Sequence, residues 1–243
     1  MSKRVTVITP TTGTRYLQQN LESVAAQTYS NLTHLVVSDG PDPEDKIRDK
    51  VKSFDRTTFL ALPHNTGHSG YNGHRIYGAM SYLAEADYVC FLDEDNWLDP
   101  NHVEDLVKVT DDRYEWAFSF RKIVDSEGNY ICNDDCESLG LWPTCLSDEE
   151  YFLDTGCYFL PVKLAVQISS AWYRRARHPD DQPEMDRLIM YYLRQYDFSY
   201  QGSMQYSLNY RVGNRPDSVR SEFFLRGNEI MKQKYNGELP WVN

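Results

Sequence analysis

The chain is short of positive charge. Its 243 residues carry 25 Lys and Arg against 36 Asp and Glu, a formal net charge of −11. Such a balance gives no general electrostatic route onto nucleic acid, which needs a basic face, so no nucleic-acid partner is expected. It also repels phosphates unless a cation or local arginines offset it. Long apolar runs are missing: no stretch approaches the roughly 20 residues that span a bilayer, so no membrane span is expected. The opening MSKRVTVITP reads as a short strand and not as a signal peptide. Cysteine is sparse and odd in number, at Cys90, Cys132, Cys136, Cys145 and Cys157. Without a secretory leader this favours reduced thiols and a cytoplasmic location. Cys132 and Cys136 frame CNDDC, but no partner pair has finger-like spacing, so a zinc site is not expected. Internal repeats and low-complexity tracts are also absent.

What is present is an alternation of strand and helix signals in the first hundred residues. RVTVIT (4–9), THLVVS (33–38), TTFLAL (57–62) and DYVCFL (87–92) read as strands. Between them, 15–27 places Leu17, Leu21, Val24 and Ala25 at helical spacing, 43–54 turns Ile47, Val51 and Phe54 inward, and 74–86 gathers Ile76, Ala79, Met80 and Leu83 on one face. This rhythm predicts an α/β fold with a mostly parallel central sheet covered on both faces. Asp99-Pro100 opens a further helix, with Asp99 as its expected N-cap. The second half is less regular. A hairpin is expected around DSEGN, a loop over 137–150, a strand turning at Pro161 into a helix, an amphipathic helix after HPDDQPEMDRL, and a strand over MQYSLNYRV. The tail from Gly213 is polar and arginine-bearing, and is expected to be mobile.

The stretch YVCFLDEDNWLDP (88–100) runs from apolar strand straight into acid. Ligands of open parallel sheets bind beyond the carboxyl ends of strands. Asp93 and Asp95, two apart on extended backbone, point the same way, while Glu94 faces elsewhere. Two bare carboxylates repel each other, so a hard divalent cation such as Mg²⁺ or Mn²⁺ is one natural third party. A solvated acidic turn is the other reading that the spacing allows.

FLDEDNWLDPNHVEDL, following VITPTTGTRYLQQNLESVAAQTYSNLTHLVVSDGPDP, resembles the family 2 glycosyltransferases with the GT-A fold, of the non-processive type. A strand ending in Pro-Thr, a helix ending near Gln-Thr, a second strand ending in aspartate and a DxD-type motif occur in the family's order, and the likeness extends to about residue 225. The resemblance implies one GT-A domain over 1–243. Residues 1–110 would be the nucleotide-sugar-binding half and 111–225 the acceptor and catalytic half, with 213–243 as the mobile tail. It implies transfer of a sugar from a nucleotide-diphosphate donor, a UDP-sugar by preference, to a carbohydrate or other hydroxyl acceptor, with inversion and with Mn²⁺ or Mg²⁺ as cofactor.

Residue by residue, the resemblance assigns Thr9, Pro10 and Thr11 to the nucleoside, Asp39 to a hydrogen bond from the base, and Arg75 to the base or phosphate. Asp93 would touch the ribose or the metal, and Asp95 would be the firm metal ligand bridging to the diphosphate. The cation, not the protein surface, would then recruit the phosphates. Asp154, Thr155 and Gly156 match the acceptor-side segment, and Trp142 and Trp172 are candidates to stack on a sugar or to pack internally. An inverting transferase needs a carboxylate base at the acceptor hydroxyl. Counting back from LNYR (208–211) favours Asp186; the family's Glu-Asp pair is absent, which leaves Asp181 and Glu184 open. The histidine that family members often carry after Tyr-Arg is missing too; Arg215 or Arg220 would have to replace it in a segment closing over the donor. The membrane helices and Gln-x-x-Arg-Trp motif of polymer-making members are absent. Two rivals remain: a sugar-nucleotide or glycan binding module that has lost catalysis, and a nucleotidyltransferase, against which stands the single glycine in TPTTGTRY.

Overall fold

The computed structural model describes residues 2–42, 44–174, 185–216 and 218–242. The first half alternates as the apolar pattern predicts: β1 (Val5–Thr11), α1 (Leu17–Ala25), β2 (Leu32–Ser38), α2 (Lys46–Val51), β3 (Thr57–Ala61), α3 (His74–Leu83) and β4 (Tyr88–Phe91). β1 pairs in parallel with both β2 and β4, and β2 with β3. All seven residues of β1 are buried, as in a strand covered on both faces. The pleat then sorts neighbours by face. Val36 joins Leu17, Leu21, Ile47 and Val51 under α1 and α2, whereas Val37 joins Ile76, Tyr77 and Met80 under α3.

The second half extends the same sheet with antiparallel and parallel neighbours. It comprises β5 (Trp97–Leu98), α4 (His102–Asp112), β6 (Trp116–Val124), β7 (Tyr130–Asn133), β8 (Tyr158–Pro161), α5 (Val162–Gln167), α6 (Met185–Leu193), β9 (Tyr200–Arg211) and α7 (Ser221–Lys234). The nine strands lie in the order β3-β2-β1-β4-β8-β6-β9-β5, with β7 paired to β6. The expected hairpin forms, since β6 and β7 are antiparallel across a turn in which Asp125 accepts from the backbone N–H groups of Glu127 and Asn129.

Two expectations give way. Asp99 does not cap α4: its carboxylate takes an ion pair from Lys122 at 2.5 Å and a hydrogen bond from Asn209 at 2.8 Å, and Asn101 stands at the cap position without a side-chain bond. The stretch after Gly213, expected as a mobile tail, contains the 14-residue α7. Phe224 and Met231 bury one stripe of that helix, and Trp241 behind it is buried against Trp142 and Tyr235. The helix sits so close that a Cβ on Gly227 would fall 2.6 Å from Cys136 Sγ.

Candidate active site

The register carries the carboxyl ends of β1, β2 and β4 to one edge. Thr11 lies opposite Ser38, and the Leu92 N–H continues the β4 ladder by bonding the Ile8 carbonyl. Asp39 and Asp93 follow these ends directly. They open onto a cleft with two lobes that share Asn72, Asp93 and Arg215. The outer lobe, about 350 Å³, is walled by Pro10, Thr11, Asp39, Gly67 and His68. The inner lobe, about 320 Å³, brings Asp93, Asp95, Asp154, Thr155 and Asp186 together from both halves of the chain.

Asp93 accepts a 2.7 Å bond from the Tyr77 hydroxyl through Oδ1. Burial, then the charges of Asp95 and Asp154, push its carboxyl up to about 7. Asp95 accepts from Asn214 Nδ2 at 2.7 Å and Arg215 Nη2 at 3.1 Å, both on Oδ2. Its backbone carbonyl is held by Arg211, which also bonds the Ser126 carbonyl and Gln19 and packs over Tyr16. Asp186, in the first turn of α6, is raised to about 6 by burial and then by Asp154. Asp154 is itself raised by burial and bonds Arg121 at 2.7 Å.

Several assigned residues stand elsewhere. Thr9 is fully buried beneath α1, its hydroxyl 2.9 Å from His34 Nε2, because it lies two residues back from the strand end. Arg75 lines neither lobe: its guanidinium sits 3.7 Å from the Tyr71 ring centroid, near Tyr173, and donates to the Thr66 carbonyl, so it braces the loop above the outer lobe. Gly156 donates its N–H to Asp154 and packs beneath Leu208, where a Cβ would meet Leu208 Cδ2 at 2.8 Å. Trp142 packs on Trp241 and Phe120, and Trp172 is core, against His74, Tyr77 and Phe91. Asp39 lines the outer lobe, but its oxygens already accept four bonds, from Asn65 Nδ2, Thr66 N and Oγ1, and Gly67 N. Asp181 and Glu184 lie outside the described residues. Of the two tail arginines, Arg215 reaches the cleft, while Arg220 bonds the Pro216 carbonyl.

Other residues were not singled out by the sequence. Glu94, in the turn between the two aspartates, accepts from Thr11 Oγ1, Thr12 N and Oγ1, and Thr14 N. It ties the β1–α1 loop that floors the outer lobe. The threonine run after β1 and an acid just beyond β4 were the available signal.

Among the described residues, no three His, Cys, Asp or Glu side chains converge to hold a metal. Mg²⁺ and Mn²⁺ need fewer, taking one or two carboxylates with water and phosphate oxygens. Asp93 and Asp95 are hard oxygen donors on one lobe, and the repulsion from Asp95 that adds to burial in raising Asp93 is what a cation relieves. The pair therefore fits such an ion when a diphosphate supplies the rest of its shell.

Comparison with known proteins bears on this geometry. The profile described as Glycosyl transferase family 2 matches residues 6–136, over half of the chain. The glycosyltransferase GlyA of Streptococcus pneumoniae is 31% identical over 106 residues, 43% of this chain and 15% of that protein. The crystal structure of S. aureus TarS 1-349 superposes with a TM-score of 0.62 at 16% identity, over 86% of this chain and 60% of that one. Its complex with UDP-GlcNAc gives 0.63 at 16% identity, over 95% and 65%. The chain thus spans a small part of GlyA and under two thirds of TarS 1-349. At these identities the structural likeness concerns the fold, which is the GT-A arrangement.

Proposed function

This chain belongs to glycosyl transferase family 2, and on that premise we propose that it moves a sugar from a UDP-sugar to a hydroxyl acceptor with inversion. The observation that carries the reading is the continuity of the two lobes across Asn72, Asp93 and Arg215. A nucleoside in the outer lobe would project its diphosphate past Asp93 and Asp95 and its sugar toward Asp154, Thr155 and Asp186. The UDP and UDP-GlcNAc complexes of TarS support a donor of this class.

Asp186 is the base in this reading. With its carboxyl raised only to about 6, it is ionised at neutral pH yet a better proton acceptor than an ordinary aspartate. It would take the acceptor's proton as the hydroxyl attacks the anomeric carbon from the face opposite UDP. Asp154 and Thr155 would orient hydroxyls of the bound sugars. Arg215, within reach of both lobes, would hold the diphosphate where family members often carry histidine. When bound between Asp93 and Asp95, Mn²⁺ or Mg²⁺ would supply charge neutralisation on the departing diphosphate.

A panel of labelled UDP-sugars with Mn²⁺ tests the proposal. Transfer or slow hydrolysis of one donor is expected. Tight UDP binding by pure protein with neither reaction would make this a binding module instead.

A further inference from the structure

Behind the inner lobe, Asp154 joins a chain of charge whose other members the transfer reading does not use. Arg121, on β6 and 1% exposed, holds three carboxylates: Asp134 at 2.7 Å, Glu137 at 2.6 Å and Asp154 at 2.7 Å. Glu137 is bonded on both oxygens. Its Oε2 takes Arg121, and its Oε1 takes Arg187 Nη2 at 2.5 Å. Arg187 also pairs with Glu150, and its backbone N–H bonds Asp186 Oδ1 at 2.9 Å. Glu137 is therefore the junction of two arms. One ends on Asp154 and the other on the residue beside Asp186, and both aspartates line the inner lobe.

Stability alone is a poor account of this arrangement. Buried ion pairs are expensive to desolvate, and well-packed apolar residues of similar volume often hold a fold equally well. Among the described residues, Arg121 and Arg187 face Asp134, Glu137, Glu150 and Asp154. What the network supplies is direction, because each guanidinium fixes its carboxylates through specific N–H bonds. Asp134 adds rigidity by accepting the backbone N–H groups of Cys136, Glu137 and Ser138, which presents Glu137 in one orientation.

We infer that Glu137 is a positioning residue for sugar transfer: through Arg121 and Arg187 it fixes Asp154 and the first turn of α6, with Asp186, at one spacing across the inner lobe. The inference rests on the transfer reading above. Misplacement of a reacting group by about 1 Å costs about 100-fold in rate, so the effect belongs in kcat and not in donor binding.

The test uses the full chain with Glu137→Gln and Glu137→Asp. Glu137→Gln keeps the volume but turns an amide N–H toward one arginine. It should lower kcat about 10- to 100-fold with UDP affinity within about twofold, and Glu137→Asp, which keeps the charge, should recover part of the rate. Arg187→Met cuts the same chain at its less buried arm and should give the same split if Glu137→Gln fails to fold. Lost UDP affinity with unchanged kcat would mean a merely structural role and would overturn the inference. A second readout does not need turnover. Carboxyl ¹³C resonances of Asp154 and Asp186 should move in the variant that folds, and unmoved resonances overturn the inference. Moved resonances in a protein that transfers no sugar would instead bring down the transfer reading and leave the coupling standing.

Discussion

Arg215 Nη2 stands 3.1 Å from Asp95 Oδ2, at the rim shared by both lobes. In a chain with a formal charge of −11, an arginine from the segment after β9 thus already answers the acidic strand end. Asn214 bonds the same oxygen, and among the described residues no donor bonds Asp95 Oδ1. The arginine and a divalent ion are then compatible partners of one carboxylate. Asp95→Asn should weaken Mn²⁺-dependent UDP binding by about 10- to 100-fold or more. Calorimetric titration of UDP with and without Mn²⁺ checks this, and equal affinities in both proteins would refute the role given to Asp95.

Asp186→Asn should leave UDP affinity unchanged and lower transfer by about 10²- to 10⁴-fold. The wild-type rate should also fall as pH drops through about 6, where the raised carboxyl of Asp186 takes up a proton and ceases to be a base. Pre-steady-state rates across pH 5 to 8 read this directly. A fully active variant would move the base to Asp181 or Glu184.

Glu94→Gln removes the charge that four donors of the β1–α1 loop converge on, and points an amide N–H at donors. A loss of about 2–4 kcal/mol is expected from a buried carboxylate so bonded. Since the same loop floors the outer lobe, UDP affinity should fall with stability. Denaturant melts paired with UDP titrations check the two together, and a stable variant with normal affinity would remove Glu94 from the nucleotide site.

The first half of the fold was legible because buried parallel strands read as apolar runs, and strand ends locate a cleft whatever the loops do. Asp93 and Asp95 both line the inner lobe, but not through the expected period of two: the backbone turns there, with the Asn96 N–H bonding the Asp93 carbonyl. Thr9, Arg75, Gly156 and Trp142 were misplaced for a common reason. Tertiary neighbours, which no local pattern carries, decide what each position faces: His34 for Thr9, Tyr71 for Arg75, Leu208 behind Gly156 and Trp241 for Trp142. The Arg121 network draws acids from 134 to 154 with no fixed spacing, so no local pattern announces it. α7 was missed although Phe224, Asn228 and Met231 have helical spacing, because its polar residues outweighed that stripe.

The raised carboxyls of the inner lobe also make a stability prediction. Asp93 and Asp186 have folded-state values of about 7 and about 6, against about 3.9 for an unfolded aspartate. The folded protein therefore holds these protons more tightly than the unfolded chain. Stability from them is fully present below about pH 4 and is lost as pH rises through 6 and 7. At pH 8, in EDTA and without nucleotide, each ionised carboxylate costs the fold about 2–4 kcal/mol. Asp93→Asn and Asp186→Asn should accordingly each stabilise the protein at pH 8 by up to that amount, with the gain vanishing near pH 4. In the proposed reading the reactive groups are thus side chains that folding disfavours, the usual relation between a reactive cleft and the stability it gives up. Urea melts of both variants at the two pH values decide the matter: equal gains at pH 4 and pH 8 would show that neither carboxyl is raised.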